Sequence, residues 1–253
     1  MPQTKIVFFD IDGTLIDMQA KKITPKMLET LHRLQDRGIK ICIATGRSPM
    51  VLPKIDGVAF DAYLTFNGSL CYDRKGVIFS NPIPHKDVVR FIQNAAALGR
   101  PVCVSTRDRL AANGADTDLT DYFFIANEPV PVADDFDAVC AEDIYQLMLG
   151  CRPKDYPALL DGAPGAKIAA WWDRAVDVIP ASGGKGIGIE KMLAYYGLDK
   201  AEALAFGDGN NDREMLQAVG TGVAMENGSP ELKAIADEIC GPVYEDGIYH
   251  YCA

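Results

Sequence analysis

Lys5-Ile6-Val7-Phe8-Phe9-Asp10-Ile11-Asp12-Gly13-Thr14-Leu15 is the stretch whose reading decides the fold. Ile6 to Phe9 are apolar without alternation, the pattern of a short strand buried on both faces, as in a parallel sheet. This strand ends in two carboxylates. Leaving such groups buried and unpaired is costly, so the pair implies a neutralising cation or a cationic substrate complex. Gly13 lets the chain turn sharply away. Alone, Asp-x-Asp-Gly also reads as a strand followed by an Asp-rich turn. The carboxyl end of a central strand is, however, where open α/β sheets bind ligands.

Three further segments repeat the pattern. Ile39 to Arg47 is a second apolar strand that ends in a hydroxyl, a glycine and a cation, Thr45-Gly46-Arg47. Ala203 to Asp212 is a third, which ends in acids and amides, Asp208-Gly209-Asn210-Asn211-Asp212. Ser182-Gly183-Gly184-Lys185-Gly186 places a glycine-flanked lysine just before a helical pattern. Carboxylates, a hydroxyl, backbone N–H groups and one positive charge are what is needed to hold a divalent cation and a phosphoryl group together.

The rest of the chain supplies an interrupted α/β rhythm. Thr24 and Pro25 open a helix that Gly38 stops, with Met27, Leu31 and Leu34 at helical spacing. Strands are expected at Ile39 to Ala44 and Ala62 to Phe66. Asn67-Gly68 is a turn signal, and Leu70 to Tyr72 with Val77 to Phe79 read as a hairpin around Asp73 to Gly76. Lys86 to Leu98 is amphipathic. Strands are expected at Val102 to Val104, Tyr145 to Leu149, Ile168 to Trp172 and Val176 to Ile179. After Lys185 a helix runs from Ile187 to Tyr196, followed by a strand at Ala203 to Phe206, a helix at Arg213 to Ala218, a strand at Gly222 to Met225 and a helix start at Ser229-Pro230. Strand–helix alternation on both sides of one differently patterned insert predicts an α/β fold. Its core is a doubly wound, parallel, Rossmann-like sheet built from residues 1–83 and 182–253, with an inserted α/β cap at 84–181.

Composition bounds the function. With 253 residues, 48% of them hydrophobic, the chain can bury a sizeable core. A net charge of −10 without any basic block argues against nucleic-acid binding. No segment is long enough to span a bilayer, and the first apolar run is too short for a signal peptide. The seven cysteines form no Cys-x-x-Cys pair and read as small core residues of a cytoplasmic protein. Three scattered histidines argue against a histidine zinc site or a Ser-His-Asp triad. Rival motifs fail in detail: the loop from Asp208 has Arg213 and Val219 where a calcium-binding EF-hand needs Gly and Glu, and Gly186 stands where a P-loop needs Ser or Thr.

In order, Asp10-x-Asp12-Gly13-Thr14, Thr45-Gly46-Arg47, Lys185-Gly186 and Gly207-Asp208-Gly209-Asn210-Asn211-Asp212 resemble the four motifs of the haloacid dehalogenase superfamily. The pattern Gly-Asp-Gly-x-Asn-Asp, with its long insert after the second motif, is similar to the Cof-like subfamily with a C2-type (IIB) cap. The resemblance implies a Mg²⁺-dependent phosphatase that hydrolyses a small phosphate monoester, such as a sugar phosphate, through an aspartyl-phosphate. It implies Asp10 as nucleophile, Asp12 as general acid and base, and Thr45 with the Gly46 N–H as phosphoryl ligands. Lys185 would neutralise charge. Asp10, the Asp12 backbone carbonyl and Asp208 would hold the metal, and Asn211 and Asp212 would order its surroundings. Arg47 and Asn67 are candidate substrate contacts, and Arg107, Asn113 and Trp171 weaker ones in the cap. Rival assignments are a helix N-cap for Asp212 and an interdomain salt bridge for Arg47. The expected partner is a small phosphorylated metabolite, with no nucleic acid and no membrane, on a monomer or homodimer. Asp12 fits hydrolysis or phosphomutase chemistry, so a phosphosugar mutase is the alternative enzyme, and a phosphometabolite sensor the alternative without turnover. The glycine run before Lys185 is expected to loosen the cap hinge, leaving its effect on Lys185 open.

Overall fold

A computed structural model of the chain describes residues 3–125, 127–170 and 172–253. In chain order its strands are β1 (Ile6–Phe9), β2 (Lys40–Ala44), β3 (Ala62–Thr65), β4 (Leu70–Asp73), β5 (Gly76–Ser80), β6 (Cys103–Ser105), β7 (Leu110–Ala112), β8 (Gln146–Gly150), β9 (Ala166–Ala169), β10 (Ala175–Pro180), β11 (Ala203–Gly207), β12 (Thr221–Met225) and β13 (Glu238–Cys240). The α-helices are α1 (Pro25–Asp36), α2 (His85–Ala97), α3 (Thr117–Ile125), α4 (Phe136–Val139), α5 (Tyr156–Leu159), α6 (Lys185–Tyr196), α7 (Arg213–Ala218), α8 (Pro230–Lys233) and α9 (Gly247–Tyr251). Two compact units result: Met1–Gly46 with Pro53–Ser80 and Gly184–Ala253, and Arg47–Leu52 with Asn81–Gly183.

The first unit is built on an eight-stranded sheet in the order β13-β12-β11-β1-β2-β3-β4-β5. From β13 to β3 every neighbouring pair is parallel, and the β4–β5 hairpin adds an antiparallel edge. The expected mainly parallel core sheet is therefore present. β1 lies inside it, between β11 and β2, with Phe9 opposite both Phe206 and Ile43. That register makes β1, β11 and β2 end side by side, so Asp10, Asp208 and Thr45 leave the sheet at one edge. All four residues of β1 are buried, which explains the unbroken apolar run. One face packs Ile6, Phe8, Cys42, Ala44 and Leu64 against Ile189, Met192 and Leu193 of α6 and Met215 and Leu216 of α7. α1 begins as its sequence predicts: Pro25 opens it, and the Thr24 hydroxyl accepts a hydrogen bond from the Met27 N–H at 3.1 Å.

The second unit has a five-stranded, wholly antiparallel sheet in the order β7-β6-β8-β10-β9. Alternation splits its side chains. Val104, Leu147, Leu149, Val176 and Val178 pack with Val88, Phe91 and Ala95 of α2, whereas Cys103, Ala112 and Met148 pack with Leu119 and Phe123 of α3. α3 has no counterpart in the sequence reading because only those two of its residues are buried, too few for a periodic signal. β7 and β13, three residues each, were too short to show one. β9 lies earlier than the expected Ile168 to Trp172, because its pairing with β10 runs back to Ala166 opposite Pro180. Trp171 lies outside the described residues. The hairpin turn is tighter than expected, with Asp73 and Gly76 inside the strands and the Asp73 carboxylate accepting from the Lys75 and Gly76 N–H groups.

An ion network ties the start of α3 to the strands below it. Arg152 makes two hydrogen bonds to Asp118, both 3.1 Å, and Arg100 reaches Asp116 at 3.0 Å and Asp118 at 3.2 Å. The Arg152 hydrogen bonds, assisted by Arg100, hold the Asp118 carboxyl below its ordinary value of 3.8. A carboxylate with a depressed folded pKa contributes stability that is complete above its unfolded pKa and is lost as pH falls through the folded one. The melting temperature of Asp118→Asn is therefore expected to lie below that of the unsubstituted protein at pH 7. The gap should narrow as pH drops below about 4, as thermal denaturation across pH would show.

Candidate active site

β1 carries Asp10 to the sheet edge, where it stays 6% exposed. Lys185, the first residue of α6, is 1% exposed. Its Nζ donates to Asp10 Oδ1 at 2.7 Å and to Asp212 Oδ1 at 2.5 Å. The other Asp212 oxygen accepts the N–H groups of Asp208 at 3.0 Å and Gly209 at 2.9 Å. Asp212 makes no side-chain cap to α7; its carboxylate folds the loop after β11 and grips Lys185. Asp208 accepts from the Thr14 hydroxyl at 2.9 Å. Gly13, at φ 88°, passes so close to Asp208 that a Cβ there would lie 2.2 Å from Oδ2. Only glycine combines that backbone with that approach.

Asp10, Asp208 and Asp212 each present an oxygen within 4.8 Å of the others. Lys185 alone cannot balance them. Burial, only partly offset by Lys185 and reinforced by Asp212, Asp208 and Asp12, holds the Asp10 carboxyl well above its ordinary value. Burial and then Asp212 push Asp208 up to about 7. For Lys185, burial would lower the ammonium, but Asp10 and Asp212 outweigh it and the net shift is upward. Excess negative charge among oxygen donors suits a hard divalent cation. The clustered carboxylates include Asp212 beside the expected Asp10 and Asp208. Asp12 sits next to them half-buried, its backbone bridged to Ile16.

The other expected residues fall into two groups. Thr45 is buried, its N–H donating to Leu64 O at 2.8 Å and its carbonyl accepting from the Asn67 N–H at 3.0 Å. Asn211 donates to Asn67 Oδ1 at 3.1 Å, and Gly46 lies against the Asn67 amide. Arg47 groups with the second unit, where its Nη1 donates to Val51 O at 3.1 Å. Asn113 accepts from the Val102 N–H at 2.8 Å, a structural contact, and Arg107 is exposed beside Asp108. The sequence reading missed Asn227, whose amide donates to Gly13 O at 2.8 Å and accepts from Val243 N–H at 2.9 Å; nothing in its local pattern signals this.

The glycines flanking Lys185 are closely packed. A Cβ on Gly184 would lie 1.8 Å from Glu214 Oε2, and one on Gly186 would lie 2.8 Å from Glu214 O. These glycines let the first turn of α6, which carries Lys185, pack directly on α7. Gly184→Ala combines that clash with an unfavourable φ of 137°. It is expected to lower the stability by about 1–3 kcal/mol in urea titration.

The family model for haloacid dehalogenase-like hydrolases matches residues 7–252. The chain belongs to this family. Full-length relatives of this hydrolase carry phosphatase names. The "Putative phosphatase YkrA" of Bacillus subtilis (strain 168) is 35% identical over 247 residues, covering 97% of this chain and 95% of the relative. The 5-amino-6-(5-phospho-D-ribitylamino)uracil phosphatase YitU of the same organism is 28% identical over 262 residues, covering 97% and 95%. Among solved structures, the HAD subclass IIB sugar phosphatase BT4131 superposes with a TM-score of 0.88 at 28% identity, over 98% of this chain and 97% of its own. The phosphatase BT1666 of Bacteroides thetaiotaomicron does so at 0.91 and 30%, over 98% and 94%. The resemblance of the four motifs to this superfamily, and the enzyme class it implied, are thus borne out.

The charge imbalance at the hydrolase's carboxylates has a measurable consequence. Removing one acid should relieve repulsion when no cation is present. Asp208→Asn is expected to melt a few degrees higher than the unsubstituted protein in EDTA, and to lack the upward shift expected of the latter when a divalent cation such as Mg²⁺ is added. Scanning fluorimetry of both proteins in EDTA and in Mg²⁺ would measure this.

Proposed function

We propose that this hydrolase is a Mg²⁺-dependent phosphatase that cleaves a small phosphate monoester, a sugar phosphate or similar metabolite, through an aspartyl-phosphate on Asp10. The observation that carries the reading is the buried chain Asp10–Lys185–Asp212. A strand-end carboxylate held by a buried ammonium is an oriented nucleophile, and the charge of the same ammonium favours an incoming phosphate. Phosphatase names among relatives that span nearly the whole chain support the same class.

Lys185 grips Oδ1 of Asp10, so attack on phosphorus is assigned to Oδ2. As the P–O bond to the alcohol breaks, Asp12 gives its proton to the leaving oxygen. Asp12 then takes a proton from the water that attacks the aspartyl-phosphate, and inorganic phosphate leaves. The Thr45 hydroxyl and the Gly46 N–H bind phosphoryl oxygens, and Lys185 balances the charge spread over them. Mg²⁺ held by Asp10, the Asp12 carbonyl and Asp208, with Asn211 and Asp212 around it, would supply the remaining charge neutralisation. Arg47 is assigned to the substrate side, and residues 84–181 to a cap that selects the leaving group. A cytoplasmic site of action completes the reading. Among the described residues no helix is long and apolar enough to cross a membrane.

Phosphate release from a panel of small phosphate monoesters, with Mg²⁺ and with EDTA, tests the proposal. Mg²⁺-dependent release without an added bisphosphate is expected, as is its loss in Asp10→Asn with the circular dichroism spectrum retained. Unchanged turnover in that variant would exclude Asp10 as the nucleophile, and a requirement for a bisphosphate activator would point to a mutase.

A further inference from the structure

Phe66, Asn67 and Gly68 follow β3 with φ of 51°, 51° and 92°. Three consecutive residues are therefore left-handed, and two of them are not glycine. A bulky aromatic residue rarely holds that conformation. All three are buried. Strained backbone of this kind persists where its surroundings over-determine it, and such turns gather at functional sites.

The surroundings of this turn are the loops that carry the candidate site. The Asn67 N–H donates to Thr45 O at 3.0 Å. Its Oδ1 accepts from Asn211 Nδ2 at 3.1 Å, one residue before Asp212. A Cβ on Gly46 would come within 3.1 Å of the Asn67 amide nitrogen. A Cβ on Gly68 would lie 2.3 Å from Gly184 O and 3.1 Å from Lys185 Cα. One three-residue turn thus touches the hydroxyl loop after β2, the acid and amide loop after β11, and the first residue of α6.

We propose that the Phe66–Asn67–Gly68 turn is a positioning clamp that sets the spacing of Thr45, Asn211 and Lys185, with the Asn67 side chain acting through Asn211. The inference rests on the phosphatase reading and gives Asn67 a role through its neighbours in place of substrate contact. Left-handed backbone presents the Asn67 N–H and amide in two directions at once, toward the β2 loop and toward the β11 loop. A right-handed residue at 67 would redirect both. Gly68 completes the clamp because it alone allows the turn to reach the Gly184 carbonyl.

Asn67→Gly separates the two contributions, since glycine keeps φ near 51° and deletes the amide. It should fold, as judged by circular dichroism. Its kcat is expected to fall about 10- to 100-fold, the cost of a small misplacement of reacting groups, with KM changed less than about threefold. Mg²⁺ affinity by titration calorimetry should weaken about tenfold, as is typical when a group behind a metal ligand is lost. Asn211→Ala also removes the amide placed beside the metal and should cost at least as much, and the double variant should be no worse than Asn211→Ala alone, because the two substitutions delete one shared hydrogen bond. Additive effects of the two substitutions, a rise in KM alone, or wild-type kcat and Mg²⁺ affinity in folded Asn67→Gly would each overturn the clamp. If the unsubstituted protein binds Mg²⁺ with the coupled pattern yet releases no phosphate from the panel, the clamp stands and the phosphatase reading fails. If it neither binds Mg²⁺ nor turns over, both fall.

Discussion

A buried ammonium between two carboxylates organises the first unit. Lys185 is almost without solvent, and such a charge is tolerable only with close partners of opposite sign. Asp10 and Asp212 are those partners, one at the end of β1 and one in the loop after β11. Their demand reaches outward. Asp212 must also collect the N–H groups of Asp208 and Gly209, so the β11 loop closes tightly. Lys185 must open its helix against α7, where a Cβ on Gly186 would lie 2.8 Å from the Glu214 carbonyl and Gly184 holds a φ of 137°. Gly13 must bring the β1 loop down onto Asp208. Each local oddity of the sequence follows from placing one cation among several acids.

The arrangement is deliberately unbalanced. Among the described residues Lys185 is the cation bonded to this cluster, and two of the acids, Asp10 and Asp208, sit above their ordinary ionisation range. A protein selected for stability alone would replace one of these acids by an amide. Keeping them stores a free-energy penalty of a kind that a divalent cation would relieve, as expected where function and stability compete.

Much of this was legible in the sequence, for identifiable reasons. The strands of the first unit are continuous apolar runs that end abruptly in polar residues, so β1, β2 and β11 and the groups at their ends could be read locally. Partnerships could not. Lys185 and Asp212 lie 27 residues apart and Lys185 and Asp10 lie 175 apart, and no spacing rule links them. The close packing of Gly184 could not be read, because the Glu214 carboxylate beside it lies 30 residues on. Asn67 read as a turn residue and a candidate substrate contact, but its hydrogen bond to Asn211 could not be read, since the sheet alone brings the two together. In the second unit, α3 was hidden because it buries just two side chains, and β7 because it is three residues long.

The second unit begins and ends on a clasp. Asn81 and Ser182, 101 residues apart in sequence, exchange hydrogen bonds of 3.3 and 3.4 Å. Lys185 follows three residues later. During synthesis Asp10 emerges early and its cation late, so the first unit's acids have no Lys185 until the whole insert has been made. An insert that folds as a unit draws its own ends together and shortens the chain that must close before Lys185 meets Asp10. The saving in loop entropy is small, somewhat under 1 kcal/mol by the roughly logarithmic cost of loop length. The larger consequence is one of order: Asp10 cannot meet Lys185, 175 residues on, until the whole insert between them has been made.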